Sequence, residues 1–408
     1  MKNKIISTFL LTTFLFLSIC CTNNEKEDVK IDVNKEISYC ASQATKTLAM
    51  VSSPDQIPNN VDKDSDVWHF TKPGSWTSGF WPGILWLLYE DTKNASWKEV
   101  AEEVTQTIMP MTHKKAHSHD SGFIAMTSFG NAYRLTGNKE YKDAMLRAAD
   151  SLSVLYNPLV GTILSWPGMV KRENWPHNTI IDNMMNLELL LWASKNGGEK
   201  KLYDIAVKHA DTTMQYGFRN DFTNYHVAVY DTLTGEFIKG VTHQGYTDDS
   251  MWARGQAWAI YGYTMMYRET KELRYLDFAQ KVADVYLSRL PEDLIPYWDF
   301  KAFDKTGNEP RDASAAAISA SALLELSTYI THEQNKEYLR KAKLMLAELS
   351  SERYQSRNTN TAFLLHSVGH RPRGTEIDAS IIYTDYYYLE ALIRLKHLQK
   401  GNSIHTPL

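Results

Sequence analysis

A chain of 408 residues with 43% hydrophobic and 23% charged side chains has room for one large domain or several small ones, and its composition excludes a disordered or fibrous protein. The net charge of −4 argues against a general attraction to nucleic acid or to an anionic membrane face, so an acidic ligand has to be met by local positive charge. Aromatic residues are abundant, with 11 Trp and 23 Tyr, and such side chains suit sugar rings as well as cores.

The N-terminus reads as a targeting segment. Lys2 and Lys4 precede the apolar run 5–19, which is short for a membrane span and flanked as a secretory signal is. It closes on Leu17-Ser18-Ile19-Cys20-Cys21, similar to the lipobox of bacterial lipoproteins, against the alternative of a plain secretory signal. Residues 1–20 are therefore expected to be an export signal and 21–32 a polar tether. Cys20 or Cys21 carries the lipid in this reading, which places the protein on a bacterial membrane, periplasmic or surface-facing. Cys40 is then alone, and no disulfide framework is expected.

Beyond the tether, 33–400 reads as a single helical domain followed by a short tail, 401–408. A first amphipathic helix is expected over 34–52. Five tight helix pairs come after it: 75–91 with 95–111, 119–135 with 139–155, 180–195 with 199–216, 249–269 with 273–290, and 311–330 with 335–353. A last helix spans 379–399. Four of the turns are alike, with a short polar stretch leading to Tyr141, Tyr203, Tyr275 or Tyr338 near the start of the return helix. Such self-similarity predicts antiparallel helical hairpins stacked side by side. If the first and last helices pair, six hairpins close into an all-α (α/α)6 barrel. An open solenoid is the competing geometry, but its repeat period is usually fixed and the spacing here is irregular.

The two helices of a hairpin differ in character. Return helices such as 139–155 are charged on one face, as outer helices are. Leading helices, such as the stretch from Ala313 to Ala322, are small or apolar nearly all round and read as an inner ring. Unusual polar residues gather at the N-terminal ends of these inner helices: Trp76, His119, Asp120, Asp182, Asn183, Arg254, Asp312 and Tyr383. One mouth of the ring therefore collects them, walled by the long segments 156–179, 218–248 and 291–310. Helix N-termini there favour an anionic ligand.

The stretch HQGYTDDSMWARGQAWAIYG (243–262) is the densest in such side chains. As a helix from Asp249 onward it puts Arg254 and Trp258 on one face, where a guanidinium would grip a carboxylate and an indole would stack on a sugar. The plainer alternative is a buried helix whose Arg254 pairs with Asp248 or Asp249. Asp182 sits among Ile180, Ile181, Met184 and Met185, a setting that raises a carboxyl pKa and lets it act first as acid and then as base. Capping is the alternative for any single aspartate near a helix start. Asp120 and Asp182 at one mouth, with His119, Trp76, Gln244, Arg254 and Trp258, favour a site built for a sugar. The pair His113 and His117 has His-x-x-x-His spacing but falls in an expected loop with no glutamate following, so no metal site is expected.

The motifs SWTSGFWPG (75–83), HDSGF (119–123), DNMMN (182–186), HQG (243–245), WARGQAW (252–258) and PYWDF (296–300) together resemble glycoside hydrolase family 88, the unsaturated glucuronyl hydrolases. The resemblance covers essentially all of the chain after the tether. It implies an (α/α)6 barrel that removes a 4,5-unsaturated uronic acid from the non-reducing end of lyase-generated oligosaccharides, from glycosaminoglycans or similar acidic polysaccharides, by hydrating an enol ether. By motif, Asp182 is the implied general acid and base and Asp120 its partner. Trp76, His119, His226, Gln244, Arg254, Trp258 and Tyr383 are implied to line the uronate subsite. No metal or organic cofactor is implied. An unsaturated rhamnogalacturonyl hydrolase, an inverting glycosidase on the same barrel and a non-catalytic glycan-binding lipoprotein are the alternatives. The basic loop His370-Arg371-Pro372-Arg373 is a candidate for sulfate on the next sugar.

Overall fold

A computed structural model describes residues 29–302, 308–331 and 333–404, so the expected signal, most of the tether and the last residues of the tail lie outside the described residues. The helices are α1 (Val33–Met50), α2 (Phe80–Thr92), α3 (Ala95–Ile108), α4, α5 (Lys139–Ser153), α6 (Leu187–Lys195), α7 (Lys201–Tyr216), α8 (Ala253–Thr270), α9 (Leu273–Arg289), α10 (Ala313–Ser327), α11 (Glu333–Leu349) and α12 (Ile382–Gln399). Helix α4 is one run made of Ser121–Ala125, a π-turn at Met126–Gly130 and Asn131–Thr136.

The even-numbered helices touch one another in succession and α12 closes back onto α2, which makes the inner ring. Helix α1 packs against α12 as the sixth hairpin, so the (α/α)6 barrel expected from the sequence is present. Composition explains which helix goes where. Every residue of α10 is buried, whereas α5 buries Tyr141, Ala144, Met145, Ala148, Ala149 and Leu152, one stripe at helical spacing.

The repeated tyrosines have a mechanical role. Tyr275 donates its hydroxyl to Asp211 at 2.9 Å and Tyr338 donates to Asp284 at 2.6 Å, each tying an outer helix to the outer helix of the preceding hairpin. Tyr141, Tyr275 and Tyr338 are buried, while at the third hairpin Leu202 takes the buried place and Tyr203 is half-exposed.

Two expectations change in detail. The inner helices begin two to five residues later than anticipated, at positions 80, 121, 253, 313 and 382, and 181–186 is a 3-10 turn ahead of α6. The motif residues are used in the turns that aim the helices, not only in the helices. The long connections also hold short strands. Strands β1 (Ile57–Val61), β2 (Trp68–Thr71), β8 (Ser367–His370) and β9 (Thr375–Ile381) form a sheet in the order β2-β1-β9-β8. Strands β3 (Tyr156–Asn157) and β4 (Thr162–Ile163) make a small hairpin, and β5 (His177–Ile180), β6 (Val227–Tyr230) and β7 (Phe237–Val241) a third sheet. These segments of two to seven residues are too short to show an alternating pattern.

The opposite end of the ring is crossed by ion pairs. Arg134 grips Glu90 with two bonds of 2.6 Å, Arg268 meets Glu188, Glu269 and Glu325, and Arg394 meets Glu325 and Glu390. They surround a cavity of about 130 Å³.

Two buried histidines, His177 at the start of β5 and His209 on α7, make the fold sensitive to acid. Burial pushes His177 down to about 4 and His209 down to about 3, so both are neutral in the folded protein. A base whose folded pKa lies below its unfolded value of about 6.5 contributes stability above that pH and loses it as pH falls toward the folded pKa. The thermal midpoint is therefore expected to drop between about pH 6.5 and about pH 4. His177→Gln should remove on the order of 3 kcal/mol from that dependence. A wild-type slope retained in the variant would contradict this assignment.

Candidate active site

The polar residues expected at one mouth are brought together there. Asp120 precedes α4 at the N-cap position but makes no capping bond, and Asp182 lies inside the 3-10 turn, past its N-cap residue Ile180. Capping therefore does not explain them. Asp312 is the true cap, accepting from the Ser314 N–H at 3.1 Å.

One side chain joins the two acid-bearing segments. Asn186 Oδ1 accepts the Phe123 N–H at 2.7 Å, and its Nδ2 donates to His119 Nδ1 at 3.0 Å. His119 Nε2 then lies 3.3 Å from Asp120 Oδ1, while Ser118 Oγ donates to Asp120 Oδ2 at 2.8 Å. His119 is buried, and burial lowers its pKa against the pull of Asp120. The contact requires glycine at 122, where a Cβ would sit 2.4 Å from the Asn186 Cα.

Asp182 is a strongly perturbed acid at the mouth. Burial pushes its carboxyl up to about 7, opposed by Arg254 and assisted by Asp120. Its Oδ2 is inaccessible and has no close hydrogen-bond partner, with the Trp258 indole N–H directed at the carboxyl; the His226 Nε2 and the Tyr383 hydroxyl are also unpaired. His226 Nε2 is 3.9 Å from Asp182 Oδ2. The two backbone N–H groups of His243 and Gln244 each donate to His226 Nδ1 at 3.0 Å, which fixes the remaining ring proton on Nε2, toward Asp182. Buried polar atoms are rarely left unpaired, and several around one acid mark a place where a ligand supplies the missing bonds.

Aromatic rings complete the pocket. Trp76, 37% exposed, lies 5.9 Å from Phe80 and Phe123 and 5.2 Å from Tyr383, so its ring is held while its outer face stays open. Trp258 packs 5.2 Å from Phe123. Trp166, which the sequence did not single out, stands 5.6 Å from His226 and 5.3 Å from His243. It borders a cleft of about 390 Å³ whose lining includes His117, Arg172, His243, Gln244, His370 and Arg373.

The Arg254 guanidinium, expected to meet a ligand carboxylate, is also held from within the protein. It is buried, bonds to Asp312 Oδ2 at 3.1 Å and to Gly369 O at 2.6 Å, and also donates to Val368 O. It stacks 4.5 Å from Trp252 and 5.4 Å from Tyr383. Its partner is not Asp248, which accepts the Thr242 N–H, or Asp249, which pairs with Lys301. Gln244 also reaches Gly369 O, at 3.3 Å. Within the basic loop, Arg373 lines the cleft, but Arg371 Nε is 3.6 Å from Glu309 and borders a different groove.

Comparison with known proteins gives a consistent picture. The family model described as Glycosyl Hydrolase Family 88 matches residues 42–402. The chain is 40% identical over 402 residues to an unsaturated glucuronyl hydrolase of Formosa agariphila, covering 97% of this chain and 99% of that one. It is 35% identical over 379 residues to an unsaturated chondroitin disaccharide hydrolase of Streptococcus agalactiae, covering 91% and 93%. Among solved structures, an unsaturated glucuronyl hydrolase specific for heparin superposes with a TM-score of 0.85 at 40% identity, covering 90% of this chain and 98% of that one. The unsaturated glucuronyl hydrolase of Bacillus sp. GL1, responsible for the degradation of glycosaminoglycan, gives 0.84 at 31% identity, covering 89% and 97%.

Because Gly122 touches Asn186 directly, Gly122→Ala should force the two acid-bearing segments apart and cost about 1–3 kcal/mol. Chemical denaturation measures this, and an unchanged midpoint would show that the contact is not tight.

Proposed function

The chain belongs to Glycosyl Hydrolase Family 88, and from that premise we propose how it works. It is a glycoside hydrolase that removes a 4,5-unsaturated uronic acid from the non-reducing end of lyase-generated oligosaccharides. The observation that carries the mechanism is Asp182, a carboxyl poised near neutrality with one oxygen unpaired among other unpaired donors.

The substrate ring is an enol ether. Asp182 gives its proton to C4, and positive charge develops at C5 and the ring oxygen. Water adds at C5 while its proton returns to the carboxylate, which restores the acid. The resulting C5 hemiketal opens to a ketone, which leaves a hemiacetal at C1; its collapse to an aldehyde breaks the C1–O bond and releases the remaining sugar as an alcohol. Asp182 thus serves as acid and then as base, with no covalent enzyme intermediate. Asp120 is its essential partner. Its negative charge, held by Ser118 and His119, helps keep Asp182 protonated. The Nε2–H of His226 and the indole N–H of Trp258 steady the carboxylate once the proton has left. Trp76 and Tyr383 provide the aromatic face for the sugar ring, and His119, Gln244 and Arg254 complete the subsite.

The second sugar extends into the cleft beside Trp166. Arg172 and Arg373 line it, which supports an acidic, sulfated partner sugar derived from a glycosaminoglycan. The N-terminal segment supports export and lipid attachment at Cys20 or Cys21. Loss of radiolabelled palmitate from the double variant Cys20→Ser, Cys21→Ser would support that attachment, and retained label would refute it.

The decisive assay tracks the ultraviolet absorbance of the conjugated C4=C5 uronate in lyase-generated disaccharides. The wild type should bleach it, and Asp182→Asn should be slower by at least about 10³-fold. If the wild type bleaches none of them, the mechanism falls. Because Asp182 must be protonated to react, kcat should fall as pH rises through about 7. Arg373→Ala should raise KM for sulfated over unsulfated disaccharides by about tenfold, with Arg371→Ala near wild type. Equal effects of the two would remove the assignment of the cleft.

A further inference from the structure

Asp312 has no place in the hydration mechanism, yet it is among the most buried charges near the mouth. It is wholly inaccessible at the start of α10. Its Oδ2 receives Arg254 at 3.1 Å, and its Oδ1 receives the Val368 N–H at 3.3 Å and the Ser314 N–H at 3.1 Å. Arg254 in turn donates to the carbonyls of Val368 and Gly369. The buried pair therefore holds both the N–H and the C=O of one residue of β8, Val368, and the C=O of the next.

Strand β8 ends at His370, whose two ring nitrogens are buried without partners and whose ring stands 4.9 Å from His243. Both rings line the second-sugar cleft with Arg373. Glycine at 369 is part of the same arrangement, since a Cβ there would meet the Glu376 carboxylate at 1.9 Å. Three elements, α8, α10 and the β8–β9 hairpin, are thereby locked to one another by a single ion pair.

We propose that Asp312 is a positioning residue for the hydrolysis, acting through Arg254 to fix the cleft wall carried by β8 and to balance the guanidinium charge that faces Asp182. The inference rests on the reading of Asp182 as the acid. A buried ion pair that loses one member leaves the other charge uncompensated, and that charge acts on whatever ionises nearby.

The groups that face Asp182 are Arg254 and Trp258 of α8, His119 and Asp120 ahead of α4, His226 ahead of β6, and Tyr383 of α12. Those that face Arg254 are Asp312, Tyr383, Asp182, Glu376 of β9, and His226 and His370. In this set Asp312 is the acid directly bonded to the guanidinium. Its neutralisation leaves Arg254 pulling harder on the Asp182 proton, whereas neutralisation of Arg254 releases that pull. The two single substitutions therefore move the same titration in opposite directions.

The test compares wild type, Asp312→Asn and Arg254→Gln with an unsaturated disaccharide, recording kcat and KM across pH, with Asp182→Asn as control. Both variants should raise KM by about tenfold or more through the loosened wall. The high-pH limb of kcat should move down by about half a unit or more in Asp312→Asn and up by a similar amount in Arg254→Gln. Limbs that stay put, or move the same way in both, overturn the proposal. If Asp312→Asn does not fold, Arg254→Gln alone decides it by the upward shift. Hydrogen exchange gives a readout independent of turnover. The Val368 amide should exchange at least about tenfold faster in Asp312→Asn than in wild type, and unchanged protection overturns the anchoring. Wild type without turnover would instead overturn the reading of the reaction, while the exchange result would still decide the anchoring.

Discussion

The structure depends on enclosing most of one carboxyl, that of Asp182, where the N-terminal ends of the inner helices converge, with one oxygen wholly inaccessible. Six helices of largely apolar and aromatic surface make that environment poorly solvated, and the burial raises the acid to about 7. An isolated acid there would be inert, so the surroundings set its charge within narrow limits. Asp120 pushes it toward the protonated form and Arg254 pulls it the other way. The histidines around it are held neutral by burial, so they contribute oriented N–H groups and little charge. Structure and chemistry are thus the same arrangement seen at two scales.

The hairpins do more than enclose the site. The inner helices enter through turns that carry many of the polar side chains of the mouth, so Trp76, His119, Asp120 and Asp182 lie outside regular α-helix. Asn186 shows how little is needed to join two such turns. One amide side chain satisfies a backbone donor on one segment and sets the histidine tautomer on the same segment, while belonging to the other.

Much of this was legible in the sequence. The alternation of all-round apolar and one-sided charged helices reports inner and outer rings because burial alone determines it, and the tyrosine turns report the hairpins. Asp182 stood out through its isoleucine and methionine neighbours. Other features were hidden for physical reasons. Strands of two to seven residues carry no readable period. His226 has no local pattern of its own and was reached only through the family resemblance. Arg254 looks the same in sequence whether it holds a ligand or the carbonyls of residues more than a hundred positions away, and the structure gives it the carbonyls. Similarly, Arg371 and Arg373 are two residues apart but face different grooves, because a 3-10 turn over Arg371–Arg373 separates their directions.

The ion pairs at the far end of the ring carry a last consequence. Arg134, Arg268 and Arg394 are tied to Glu90, Glu188, Glu325 and Glu390, each arginine reaching a carboxylate of a neighbouring inner helix. Such cross-links clamp the base of the ring, so that any change in its diameter there has to break charged contacts as well as apolar ones.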